Sequence, residues 1–232
     1  MKKWTIDELL EKTAETGPEP GGGGATGIGA ALGLSLNIMA LETTVKSHEN
    51  SRRRLEKKED TEDKEAKLQD IEDHLGSLDL MKEELLAKRD LILDLAEADG
   101  ESFQGVLDAM KLDKKDPDRP GAIERELIKA IEVPKKLLEE LVEVYSWQVH
   151  LYRVSKKTIM NDNFAGSHLI LAAIETMSDN IWVNVEMLKS EEEKQAQLES
   201  FNDVRGRIHQ ISQEIADFRQ EFWPDRREGK ED

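Results

Sequence analysis

Long stretches of the chain place apolar residues every three or four positions, and three short groups of turn-forming residues interrupt them, at 17–24, 113–121 and 161–166. No segment alternates apolar and polar residues with a β-branched bias, so the pattern predicts an all-α protein, a helical bundle of about six helices of uneven length. The first helix covers about 5–16, with Thr5 as N-cap and Glu8 three residues later completing a capping box. The second opens in a glycine run and extends to about His48. The third and longest spans 64–110, with a near-heptad seam that includes Leu75, Leu85, Ile92, Ala96, Phe103 and Val106. A fourth covers about 122–158, with Pro134 expected to kink or split it. The fifth covers about 166–192, and the sixth continues to about Phe222. Residues 1–223 thus read as one helical domain, and the tail 224–232 is too polar to pack and is expected to be disordered.

The second helix departs from this amphipathic rule. Between Gly24 and Leu41 it carries no charge, and Ser35 and Asn37 are its polar exceptions among Ala, Gly, Leu and Ile. Its length approaches a membrane span, and Gly23/Gly27 and Gly29/Gly33 fit the small-xxx-small pattern of packed membrane helices. Its residues are small rather than greasy, however, and the other helices need a central partner. The expectation is a helix without a polar face, buried in a core and at a subunit interface, with no membrane involved.

Charge narrows the partners. Lys and Arg number 33 against 50 Asp and Glu, a net charge of −17, which argues against a nucleic-acid surface and a polybasic membrane anchor. The absence of cysteine removes disulfides, zinc ribbons and thiol nucleophiles, and the opening residues carry no apolar signal-peptide core. A cytoplasmic location is expected. The five histidines, at 48, 74, 150, 168 and 209, show no metal-ligand spacing, and no Glu-x-x-His occurs, so no metal centre is expected.

Five features carry candidate chemistry, each with a plainer reading beside it. The run Pro20, Gly21, Gly22, Gly23, Gly24 opens the second helix, where bare backbone and a helix N-terminus suit an anionic group; it also serves as a flexible connector. Gly22, Gly24 and Gly27 match G-x-G-x-x-G, but no strand precedes them, which weakens a dinucleotide reading. Asp99 lies on the apolar seam of the third helix, where burial would raise its pKa and poise it for proton transfer; a structural ion pair, with Arg89 or a residue on another helix, is the alternative. Glu42 continues the apolar row of the second helix and is open to the same two readings. His168 is a general base or a capping residue. Lys46, Arg52, Arg53, Arg54, Lys57 and Lys58 form a basic island, read as an anion site or as a solvated loop balanced by Glu56, Glu59 and Asp60.

In order along the chain, these pieces resemble the formiminotetrahydrofolate cyclodeaminase / methenyltetrahydrofolate cyclohydrolase family. A short acidic helix leads into the Pro-Gly-Gly-Gly-Gly entry at 20–24 and an Ala/Gly-rich helix. An Asp-x-x-x-Phe element follows at Asp99 and Phe103, then Val133-Pro134, then an Ala-rich helix ending on Asn184-Val185. The resemblance covers about residues 4–190 and implies an all-helical homodimer acting on a one-carbon-substituted tetrahydrofolate, with no cofactor or metal. It further implies that Gly21, Gly22, Gly23 and Gly24 line the folate site, with Asp99 and Asn184 nearest the chemistry. The chain departs from the family in one respect that bears on activity. Counted back from Asn184 without a gap, the family's Ser-Asp pair falls on Ala165 and Gly166, with Glu42, Asp162 or His168 as possible substitutes for the lost acid. The competing reading is a catalytically inactive relative, a helical dimer that binds a ligand or a protein.

Overall fold

The computed structural model describes residues 1–16, 20–59 and 63–223, so the expected tail 224–232, Gly17 and Asp60 lie outside the described residues. Among the described residues, seven α-helices occur in the order α1 (Ile6–Ala14), α2 (Gly22–Glu56), α3 (Lys64–Met110), α4 (Arg119–Ser146), α5 (Gln148–Val154), α6 (Met160–Glu186) and α7 (Glu191–Phe222). A 3₁₀ turn at Lys157–Ile159 precedes α6, and no strand occurs among the described residues.

α2 is the axis of the bundle, packed along α3 on one side and α6 on the other, while α4 closes the far side against both. Pairings run in opposite directions along α2 and α3: Gly23 meets Asp99, Gly27 meets Ala96, Glu42 meets Lys82 and His48 meets His74. The two helices are therefore antiparallel. Small residues make the close approach possible, since a Cβ on Gly27 would collide with Ala96. Leu34, Leu41, Leu85, Ile92, Leu137, Leu141 and Leu151 are fully buried in the core between these helices. Each contributes roughly 1.5–3 kcal/mol relative to an exposed side chain. By length and hydropathy α2 could cross a membrane, yet Gly23, Gly27 and Gly33 are each used for contact with α3 or α6.

The capping box forms as the sequence requires: the Thr5 backbone N–H donates to Glu8 Oε2 at 2.7 Å, and the Glu8 N–H donates to Thr5 Oγ1 at 3.2 Å. Three other expectations need correction. α2 continues past His48 to Glu56, because Arg52–Glu56 and Glu49–Arg53 pairs one turn apart favour helix over loop. The basic island is therefore largely a helix face. α4 runs through the buried Pro134 without a break, and the chain turns instead at Trp147, so the expected fourth helix is two.

α6 begins at Met160, so the residues read as a turn at 161–166 lie inside a helix. Gly166 is there because α6 crosses α2 at Gly33; a Cβ on either glycine would lie 2.6 Å from the carbonyl oxygen of the other. Beside that crossing Asn37 Nδ2 donates to Asn163 Oδ1 at 3.0 Å, and Gln148 Nε2 donates to Asn37 Oδ1 and the Val144 carbonyl, both at 3.1 Å. All three amides are sealed from solvent. Gln148 Oε1 and Asn163 Nδ2 find no partner among the described residues.

The chain itself covers most of α2. What it leaves open is a strip through Leu32, 58% exposed, and Met39, 39% exposed, with Gly29 and Leu36 half-buried between.

Candidate functional site

The start of α2, the middle of α3 and the end of α6 converge on a cavity of about 440 Å³. α2 supplies Gly21, Gly22 and Gly23; α3 supplies Asp99, Gly100, Phe103 and Leu107; α6 supplies Asn180, Val183 and Asn184; and Ala130 of α4 closes the floor. No side chain caps α2, whose N-cap is Gly21, so the first-turn N–H groups are left for a ligand. Pro20 and Gly24 lie behind this wall, where Gly24 packs beside Pro20 and Met1.

Asp99 is the one ionisable side chain lining the cavity among the described residues. It is 8% exposed. Its carboxylate rests against Gly23, in space that a Cβ there would occupy. Asn180 Nδ2 donates to its two oxygens at 3.3 and 3.5 Å. Burial pushes the carboxyl up to about 6, and the hydrogen bond from Asn180 works weakly in the other direction. Arg89 is not its partner: that guanidinium bonds Asp90 through Nε and Nη2, both at 3.0 Å. Asn184 is nearly buried and donates Nδ2 to the Ala130 carbonyl at 2.8 Å.

Glu42 and His168 do not join this cavity. Glu42 sits roughly 30 Å further along α2, half exposed, and accepts an ion pair from Lys82 at 3.0 Å. His168 lies roughly 18 Å before Asn180 on α6 and meets Arg219, with Nη1 and Nε2 2.6 Å apart. Burial and then the neighbouring guanidinium hold its imidazole below the usual value. Asp162 is further still along the same helix. Gly166 likewise faces Gly33 rather than the cavity, so a carboxylate there would have neither room nor reach. Helix rise along α2 and α6 separates these positions from Gly23 and Asn180, the residues that meet Asp99.

Asn180 is the site residue that sequence reading missed. The available signal was its place one turn before Asn184, on the same face of α6. Among the described residues, no cluster of three or more His, Cys, Asp or Glu side chains is arranged to hold a metal ion.

A family model described as formiminotransferase-cyclodeaminase matches residues 5–203, which takes in every helix that lines the cavity. The chain belongs to the formiminotransferase-cyclodeaminase family. The fold also matches the crystal structure of formiminotetrahydrofolate cyclodeaminase from Thermotoga maritima with a TM-score of 0.70 at 21% identity, covering 95% of this chain and 96% of that one. A search of curated proteins found no match. The all-α expectation and the family resemblance both hold, and the chain is a folate-related, cyclodeaminase-like protein. In this member of the formiminotransferase-cyclodeaminase family, three motif pieces distant in sequence, the glycine entry, Asp99 with Phe103, and Asn184, meet in a single cavity.

Proposed function

We propose that the cavity binds a one-carbon-substituted tetrahydrofolate and that Asp99 exchanges a proton at the carbon held between two nitrogens, as a formimino cyclodeaminase or a methenyl cyclohydrolase requires. The observation that carries this reading is a buried carboxyl with no cation beside it among the described residues, pushed up to about 6 by burial in a cavity with an apolar wall. A carboxylate left without a counter-ion favours a cationic ligand, and both a protonated formimino group and a methenyl bridge are planar cations. Phe103 and Leu107, within two turns of Asp99 on α3, offer flat apolar surface for the rings that carry such a group.

In the deaminase direction N10 bonds to the carbon of the protonated formimino group, Asp99 in its acid form gives a proton to the departing nitrogen and takes the one that N10 sheds, and ammonia leaves as the C–N bond breaks, the positive charge staying on the methenyl bridge. In the hydrolase direction the carboxylate takes a proton from water as the water oxygen bonds to the methenyl carbon; Asp99 then returns that proton to the departing ring nitrogen as the C–N bond breaks, and the hydroxyl loses its own proton to solvent as it becomes the formyl carbonyl. The α2 N–H groups at Gly22 and Gly23 suit a carbonyl or carboxylate oxygen of the substrate. No cofactor is needed for either step, and a cytoplasmic location fits a soluble folate. The open strip through Leu32 and Met39 is proposed as the face of a homodimer.

The test is turnover of methenyl- and formimino-tetrahydrofolate by the purified protein and its Asp99→Asn variant. Loss of the acid/base group should cost about 10²–10⁴-fold in rate with folate binding retained. Binding without turnover in the wild type would instead establish an inactive, ligand-binding relative. Light scattering on the wild type and Leu32→Arg tests the dimer; a wild-type monomer would remove it.

A further inference from the structure

The Asp99 carboxylate is surrounded by three helices, and the structure gives it few partners. From α2 it meets Gly23, which brings no side chain and leaves just enough room for the carboxylate itself. On its own helix, the Ser102 hydroxyl is spent on the Asp99 backbone carbonyl, 2.8 Å away. Glu97, two residues earlier, is held by the amino group of Met1. From α4 comes the Ala130 carbonyl, already satisfied by Asn184. The α6 face turned toward Asp99 carries Asn180 and Asn184, both neutral, while Asp179 lines a separate groove against α7. Among the described residues no Lys, Arg or His lines the cavity.

Among the described residues, the side chain that donates to the carboxylate is Asn180, and it is placed for the task. Asn180 Nδ2 straddles the two carboxylate oxygens at 3.3 and 3.5 Å, and its amide makes no other hydrogen bond among the described residues. It also lies 3.2 Å from where a Cβ on Gly23 would stand, so glycine at 23 and asparagine at 180 share one small space above the carboxylate. We infer that Asn180 is a positioning residue for Asp99: its amide, brought in from α6, fixes the direction of the carboxylate and favours its charged form against the surrounding apolar wall. An amide donor suits this role. It stabilises the anion without the full charge that would lock Asp99 ionised, so the group stays able to give and to take a proton.

The inference rests on the proposed function only in regarding Asp99 as the proton-exchanging group, and its first test needs no folate. Carbon-13 NMR of Asp-labelled protein, with Asp99 assigned through Asp99→Asn, follows the carboxyl through its titration. Asn180→Leu should raise the Asp99 midpoint by roughly one pH unit, a tenfold change in proton affinity. Asn180→Gln, which keeps the amide, should stay nearer wild type. If Leu at 180 fails to fold, Asn180→Ala gives the same comparison. An Asp99 midpoint identical in wild type and the amide-free variant overturns the inference, as does an equal shift in Asn180→Gln. The pH–rate profile with methenyl-tetrahydrofolate then separates the two ideas. A titration that moves while the acidic limb stays fixed upholds Asn180 and removes Asp99 from the proposed chemistry. Both moving together supports both.

Discussion

α2 and α6 enclose polar groups in two places, and the contrast between them is instructive. Near Gly33 and Gly166 lie the amides of Asn37, Asn163 and Gln148, sealed from solvent and bonded to one another. Near Gly23 and Asn180 lies a carboxyl with one long pair of hydrogen bonds and a cavity beside it. Both sites depend on glycine for close approach. The first is neutral and closed; mutual hydrogen bonds meet most of its cost, although Gln148 Oε1 and Asn163 Nδ2 find no partner among the described residues, and its effect is to hold the register of the crossing. The second keeps an ionisable group poorly satisfied next to space for a ligand, which is the condition under which burial alters proton affinity. Polarity in a core is therefore a weak guide to chemistry; charge, incomplete partnering and access together are a stronger one.

The largest effect that would sharpen this contrast is expected at Asp99. Asp99→Asn should lower turnover by about 10²–10⁴-fold while making the fold more stable above neutrality. The sign follows from a carboxyl raised from 3.8 to about 6 in the folded protein. Its stabilising preference for the proton is complete below the unfolded value and is lost as pH rises through the folded one. The asparagine variant should regain up to roughly 3 kcal/mol at pH 8 and little at pH 4, as read by urea denaturation. Equal stability of the two proteins at pH 8 would place the carboxyl in an ordinary environment and dissolve the distinction.

Next in size is Gly166→Asp, which puts a side chain 2.6 Å from the Gly33 carbonyl oxygen and 2.8 Å from Asn37 Nδ2. It should cost several kcal/mol, on the order of 3–5, and leave turnover per folded molecule no higher. A rise in activity would mean that the closed crossing communicates with the cavity. Gln148→Leu removes one amide from the closed network and should cost about 1–3 kcal/mol through the unpaired Asn37 oxygen, without moving the Asp99 titration. Smallest is Glu42→Gln, which breaks the half-exposed pair with Lys82. It should change stability by less than about 1 kcal/mol and turnover not at all; a large loss of rate would return Glu42 to the site.

How much of this was legible in the sequence depended on whether the signal was local. The capping box of α1, the full span of α3 and the absence of strands follow from near-neighbour spacing, and they appear as read. The length of α2 was underestimated because charged residues suggested a loop, whereas Glu–Arg pairs at one-turn spacing are helix-stabilising. Asn161, Asn163 and Gly166 were read as a turn, yet the partners of Asn163 and Gly166 are Asn37 and Gly33, more than a hundred residues away. At the site, the glycine entry and Asp99 stand out by local pattern, bare backbone at a helix start and a carboxylate on an apolar seam, and Asn184 by the family motif. Glu42 enters on its place in the apolar row of α2 and His168 on its place near the expected start of α6, whereas the contacts that bring Gly23 and Asn180 rather than these residues to Asp99 are long-range. Asn180 carries no motif, and its role depends on a contact between α3 and α6.

The antiparallel pairing of α2 with α3 also has a consequence for the order in which the molecule assembles. A hairpin of two long helices joined by a short connection closes a small loop first and then extends its contacts turn by turn, at little entropic cost per step. Gly23 and Asp99 lie at the open end of that hairpin, furthest from its connection, and would meet last within it. Asn180 arrives from a helix that must dock separately. On this order the cavity is completed after the hairpin has formed, and it is expected to loosen before the middle of α2 does. Amide hydrogen exchange at the start of α2 should outpace exchange around Leu34 and Leu41 under conditions where the bundle as a whole stays folded.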